Sequence, residues 1–150
     1  MINRIVIGSD HAGYELKLKI IEHLEDQGIA VTDVGTYSAE SCDYPVFADA
    51  LCKRIQRGDF ERGILVCGTG IGMSIAANKH SGIRAACCSD TYSARLTREH
   101  NDTNMMALGA GVTGPMLALE IVDIWLDTAF SHAERHERRL KKLSEMENAE

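Results

Sequence analysis

No apolar run in this 150-residue chain approaches the roughly 18 residues that a bilayer-spanning helix requires, which excludes a membrane span. The opening "MINRIVIGSD" has no long apolar core of a secretory leader, so the expectation is a cytoplasmic protein. Cysteine is present without a pattern. Cys42, Cys52, Cys67, Cys87 and Cys88 are odd in number and have no CxxC spacing, which speaks against a disulfide framework or zinc knuckle and fits a reducing compartment. Positive charge is short as well. The net charge of -6 removes any general attraction to nucleic acid or membrane, so an anion site has to come from local placement of basic groups. Repeats, low-complexity tracts and linkers are missing, and 150 residues suffice for one core.

What is present is alternation. Short apolar runs at 4–8, 30–35, 63–67, 83–88 and 104–109 read as strands. Between them, helical spacing of apolar residues predicts helices over 14–27, 46–57, about 72–79 and about 90–99, with a further helix over 115–127. Gly28 and Gly58 close the first two helices, and Pro115 suits a first helical position. Five successive β-α units, with strands apolar along their whole length, predict a three-layer α/β/α Rossmann-like fold. Its five-stranded parallel sheet is covered by helices on both faces. Residues 1–131 form that domain. Residues 132–150 are strongly charged around a thin stripe of Leu140, Leu143 and Met146, which predicts a C-terminal helical arm lying across a groove or a second subunit.

In such sheets ligands sit beyond the carboxyl ends of the strands. Strand 1 ends in Ser9-Asp10-His11, and strand 3 in "CGTGIGMS" (67–74); Asp43-Tyr44-Pro45 follows strand 2, and His100-Asn101 precedes strand 5. The glycines after Cys67 clear side chains from backbone N–H groups just where a helix begins, which makes an anion pocket. The dinucleotide fingerprint needs a glycine where Met73 stands, and a P-loop needs a lysine that "GMS" lacks. A helix N-terminus beside Cys67 favours the thiolate, which can serve as nucleophile or base. Asp10 reads either as an acid/base group or as a helix cap, and His100 as a base or a helix end. Arg135 and Arg139, one turn apart, either clamp a phosphate or form a solvated face. Cys87 and Cys88 read as packing residues, and Cys42 and Cys52 carry no signal.

Taken together, "IGSDHAGYELK" (7–17), "DYP" (43–45), "CGTGIGMSIAANK" (67–79), "GIRAA" (82–86), "HNDTN" (100–104) and "RHERR" (135–139) closely resemble the type B ribose-5-phosphate isomerases. That family also includes galactose-6-phosphate and allose-6-phosphate isomerases, and the matching stretches cover almost the whole chain. The resemblance implies a cofactor-free, metal-free aldose–ketose isomerase working through a cis-enediolate, as a homodimer or a dimer of dimers. By position, Cys67 is the proton-moving base, with Thr69 and the turn of Gly68, Gly70, Ile71, Gly72 and Ser74 holding the enediolate oxygen. Asp10 and His100 match the ring-opening residues, and Tyr44 and Asn101 line the sugar. His11, Arg135 and Arg139 match phosphate ligands, the two arginines reaching in from the partner.

One departure stands out. Gly111 occupies a position where the family often has a phosphate-binding arginine, with Arg138 or Lys142 as candidate substitutes. The leading substrate is ribose 5-phosphate. The alternatives are a six-carbon sugar phosphate, a non-catalytic phosphosugar sensor and, more distantly, a cysteine-based redox enzyme.

Overall fold

Period-two alternation along the strands decides where every helix lies. The computed structural model, which describes residues 1–149, has five parallel strands: β1 (Arg4–Ser9), β2 (Ala30–Asp33), β3 (Gly63–Cys67), β4 (Ala85–Cys87) and β5 (Met105–Gly109). Their order is β2-β1-β3-β5-β4. Ile5, Ile7, Ile64, Val66, Met106 and Leu108 face one side of the sheet. There they pack with α1 (Tyr14–Asp26), α4 (Thr91–Asn101) and α5 (Pro115–Asp127) around the buried Trp125. Val6, Leu65, Cys67, Met105 and Ala107 face the other side, under α2 (Tyr44–Gln56) and α3 (Ile71–Ala77). The expected three-layer α/β/α architecture is the observed one, with β1 and β3 adjacent at the point where the chain changes direction across the sheet.

Several boundaries differ from the periodicity by one residue or more, and three have a local cause. The second helix starts at Tyr44 rather than 46, because Pro45 in its first turn has no N–H to satisfy. The fourth helix runs on to Asn101 and stops where Asp102 turns left-handed at φ 44°, so His100 and Asn101 belong to its last turn. β4 is only three residues long. Its approach is fixed by side-chain amides instead, with Asn104 Oδ1 and Asn78 Oδ1 accepting the N–H groups of Arg84 and Ala85, each at 2.9 Å.

The arm forms α6 (Glu134–Glu147), which buries one side chain, His136. Its far end is tied down by Glu147, whose carboxylate accepts the Gly82 N–H at 3.1–3.2 Å. Within this chain the arm therefore lies over the end of α4 and the 81–82 turn.

Lys17 is the most deeply buried charge. Its side chain is fully enclosed, and its Nζ donates to both Asp33 oxygens at 2.7 Å and to the Thr36 carbonyl. The rings of Tyr14 and Tyr37 flank it at 5.4 and 5.3 Å. This pair pins the loop after β2 to α1. Asp33→Ala strands a buried ammonium and is expected to lower unfolding free energy by about 3 kcal/mol in urea denaturation. A loss below about 1 kcal/mol, the value of an exposed pair, would contradict that account.

Candidate active site

The site starts from the close approach of two backbone segments. Asp10 N–H donates to Val66 O at 3.2 Å, continuing the β1–β3 pairing past the strand end. Gly13 then lies so near the Val66–Cys67 peptide that a Cβ there would collide with the Val66 carbonyl. Asp10 itself is buried, with Oδ1 accepting the Gly13 N–H at 3.0 Å. One oxygen thus braces the loop before α1, whose cap position is Gly13 without a side-chain cap, so Asp10 is not the helix cap that the sequence offered as one of its two readings. The same loop touches the next turn, since a Cβ on Gly68 would sit 3.7 Å from Ala12 Cβ.

At that turn the chain passes from β3 into α3. Cys67 is only 5 % exposed, and its Sγ accepts the Gly70 N–H at 3.1 Å. Thr69 Oγ1 accepts the Ile71 N–H at 3.2 Å, which leaves the hydroxyl hydrogen free to donate. Ser74 Oγ donates to Ile71 O at 2.9 Å, so its hydrogen is used inside the turn. Gly70 makes the turn feasible. Its φ is +79°, and a Cβ would lie 2.9 Å from Cys87 Sγ and 3.0 Å from the Leu108 carbonyl carbon. Tyr44 covers the turn from α2, its ring 2.8–3.1 Å from where a Gly72 Cβ would be.

His11 sits on the other side of Asp10, half-buried. Its Nδ1 lies 3.2 Å from the Cys42 N–H, which donates to it. Nδ1 is therefore the acceptor and Nε2 carries the hydrogen, which makes His11 a donor towards any ligand above β1. Cys42 had offered no signal in the sequence, and its contribution here comes from the backbone, where no residue type advertises it.

The remaining residues arrive by another route. Asn101 lines a hollow of about 300 Å³ together with Cys87, and Cys87 Sγ in turn lies 3.6 Å from Thr69 O. Cys87 is thus exposed at the edge of the turn and is not a packing residue, whereas Cys88 is buried. Burial pushes the Cys88 thiol up to about 12. The Cys87 thiol is also raised, by burial and then by Cys67. The two exits cannot be bridged in this register. β3 and β4 both pair with β5, and Cys67 and Cys87 are also offset by two residues along it, placing their Cα atoms more than two strand spacings (about 9.6 Å) apart. A disulfide needs about 7 Å or less.

His100 is half-buried and its ring stacks on His136 at 4.2 Å between centroids. Arg135 and Arg139 are exposed on α6 and make no hydrogen bond or ion pair within this chain among the described residues. Within one chain the fold therefore joins Asp10, His11, Tyr44 and the 67–74 turn directly. It joins Asn101 through Cys87, and brings the two arginines no nearer than the helix that holds His136. Gly111 donates its N–H to Gly68 O at 2.9 Å. It shares a pocket of about 350 Å³ with Ala12, Glu15, Gly68 and Lys19, so within this chain Lys19 is the cation beside it, while Arg138 and Lys142 lie on α6. Asp90 caps α4 by accepting the Ser93 N–H at 2.6 Å.

The chain as a whole resembles known proteins over nearly its full length. The family model described as Ribose/Galactose Isomerase matches residues 5–143. The chain belongs to that family. The ribose-5-phosphate isomerase B of Escherichia coli is 46% identical over 97% of both chains. The solved structure of Clostridium thermocellum ribose-5-phosphate isomerase B is 50% identical, covers 97% of each chain and superposes with a TM-score of 0.95. The D-erythrulose-4-phosphate isomerase of Pectobacterium atrosepticum is 50% identical over 84% of both chains.

Gly70→Ala is expected to cost about 1–2 kcal/mol of stability from the left-handed backbone alone. By moving the amide that meets Cys67, it should also lower isomerase turnover more than tenfold. Turnover equal to wild type would show that the turn tolerates the side chain.

Proposed function

We propose that this member of the ribose/galactose isomerase family interconverts ribose 5-phosphate and ribulose 5-phosphate through a cis-enediolate. The observation that carries the proposal is the turn in which Cys67 Sγ meets the Gly70 N–H at 3.1 Å, beside a Thr69 hydroxyl with a hydrogen to give. A proton acceptor and oxyanion donors then share one turn, which is what moving a proton between adjacent carbons demands. The names of the E. coli and C. thermocellum relatives support the five-carbon substrate.

The family resemblance supports the following chemistry. Asp10 and His100 open the furanose by moving a proton from the anomeric hydroxyl to the ring oxygen. Cys67, as thiolate, takes the proton from C2 and returns it to C1. The net reaction is an internal oxidation and reduction, so no external electron acceptor is needed. Charge that develops on the enediolate oxygen meets Thr69 and the first-turn amides of α3, and a single such donor is typically worth about 3–4 kcal/mol of barrier. Tyr44 and Asn101 border the sugar. The Nε2–H of His11 holds the phosphate, a remote handle whose binding orients the reacting carbons.

Residues 1–131 act as the catalytic domain, and 132–150 as an arm that serves a second subunit. Arg135 and Arg139 project into solvent, and Ile71 and Ile75, each 56% exposed, leave the outer face of α3 apolar beside the site turn. A homodimer that covers this face and lends its arginines completes the phosphate site. All five cysteines are free, which suits a reducing cytoplasm.

The decisive assay compares kcat/KM for ribose 5-phosphate, allose 6-phosphate and erythrulose 4-phosphate, with a chelator present. Ribose 5-phosphate is expected to be the best substrate, and Cys67→Ala to lose about 10²–10⁴-fold in kcat with the fold intact. A better four- or six-carbon substrate would move the specificity without moving the chemistry, whereas an active Cys67→Ala would remove the base.

The shared site has its own test. Cys67→Ala and the double variant Arg135→Ala/Arg139→Ala are expected to be nearly inactive alone. Mixed and re-paired, they should recover about one quarter of the wild-type rate, because half of the dimers then carry one intact site of two. No recovery would place the arginines in their own chain's site.

A further inference from the structure

The segment joining α5 to α6 folds back onto the last turn of α4. Ser131 N–H donates to Glu99 O at 3.1 Å, and Ser131 Oγ accepts the Ala133 N–H at 3.2 Å. The same Oγ lies 2.6 Å from His136 Nδ1. A hydroxyl that accepts the Ala133 N–H still has its hydrogen to give to Nδ1, the arrangement in which His136 is neutral and carries its own hydrogen on Nε2. His136 is 3% exposed, and its ring meets that of His100 at 4.2 Å and 37°.

We propose that His136 is the positioning residue for His100, fixing the plane of the ring-opening imidazole through a stacked, neutral partner that Ser131 holds in place. The proposal rests on the reading of His100 as a ring-opening group. His100 stands in the final turn of α4, half-buried, and makes no hydrogen bond of its own among the described residues. A side chain so placed keeps its rotamer freedom unless something packs against it, and loosely supported groups lose the geometry that proton transfer needs. His136 supplies that packing from a buried position. Its neutrality matters too. Burial, then His100, Arg135 and Arg139, hold its pKa below the usual imidazole range, with Glu99 opposing. A second cation against His100 would discourage it from taking up a proton, and a neutral ring does not.

The two sugars provide a test that a merely structural role would fail. Ribose 5-phosphate is a furanose that must open before reaction. Ribulose 5-phosphate, with its 5-oxygen phosphorylated, is already open, so exchange of its C1 hydrogen with solvent needs Cys67 but no ring opening. For His136→Ala, we expect kcat on ribose 5-phosphate to fall about tenfold or more, while deuterium wash-in at C1 of ribulose 5-phosphate stays within about threefold of wild type. His136→Phe, which keeps a flat ring against His100, is expected to regain most of the lost turnover.

Three results would overturn the proposal: turnover of His136→Ala within twofold of wild type, wash-in falling by the same factor as turnover, or a Phe variant as slow as the Ala variant. His100→Ala runs beside them. Full aldose turnover in that control would remove the role on which the proposal depends. Absence of wash-in by the unmodified protein would remove the isomerase reading itself.

Discussion

The end of β3 is a place where the backbone admits no bulk, and the rest of the site is arranged around that constraint. Gly13 lies against the Val66–Cys67 peptide, and Gly70 is hemmed in by Cys87 and β5. Because three segments converge there at backbone contact, Cys67, Thr69 and the start of α3 are held by the sheet backbone as well as by the packing of Cys67 and Met73 beneath α2 and α3. A thiol at the end of a central strand has little freedom. The hydrogen bond from Gly70 N–H orients its sulfur further. Rigidity of this kind suits catalysis by preorganised dipoles, which requires donors to be in place before charge develops.

Around this fixed centre the other groups are supported by successively weaker attachments. Asp10 is braced by the Gly13 N–H and buried in the strand exit. His11 takes its orientation from an amide on the loop after β2, and that loop is in turn anchored by the enclosed Lys17–Asp33 pair. His100 is held by a ring on α6. On the proposed roles, the order of attachment matches the order of chemical demand: Cys67, the proposed base, is fixed most firmly, and the groups proposed to handle ring and phosphate depend on loops and on the arm.

Much of this was legible in the sequence, for identifiable reasons. A parallel sheet buried on both faces writes itself as unbroken apolar runs, so the five strands and the helices between them could be read from spacing. The glycines after Cys67 marked the turn because no other residue type serves at a backbone position like that of Gly70. Strand order was not legible, since nothing local to β4 or β5 says that β5 inserts between β3 and β4. The contrast between Cys87 and Cys88 was hidden for the same reason: adjacent strand residues face opposite ways, and which one reaches the turn depends on register with β5. His136 lay inside the quoted "RHERR" stretch, but its burial is a property of how α6 docks. The Cys42 amide could not have been found at all, because backbone groups leave no mark in residue identity.

The arm has one buried side chain, and its far end hangs on the contact between Glu147 and the 81–82 turn. Segments with so few enclosed contacts open locally at far lower free energy than the sheet they cover, and their amide hydrogens exchange correspondingly early. In the isolated chain the last helix is therefore expected to open before the sheet does. When it lifts, the strands, the glycine turn and Cys67 stay in place, while His100 loses its companion ring. On the roles proposed above, an event that steadies the arm acts on ring opening and phosphate binding and leaves the thiol and its turn as they are.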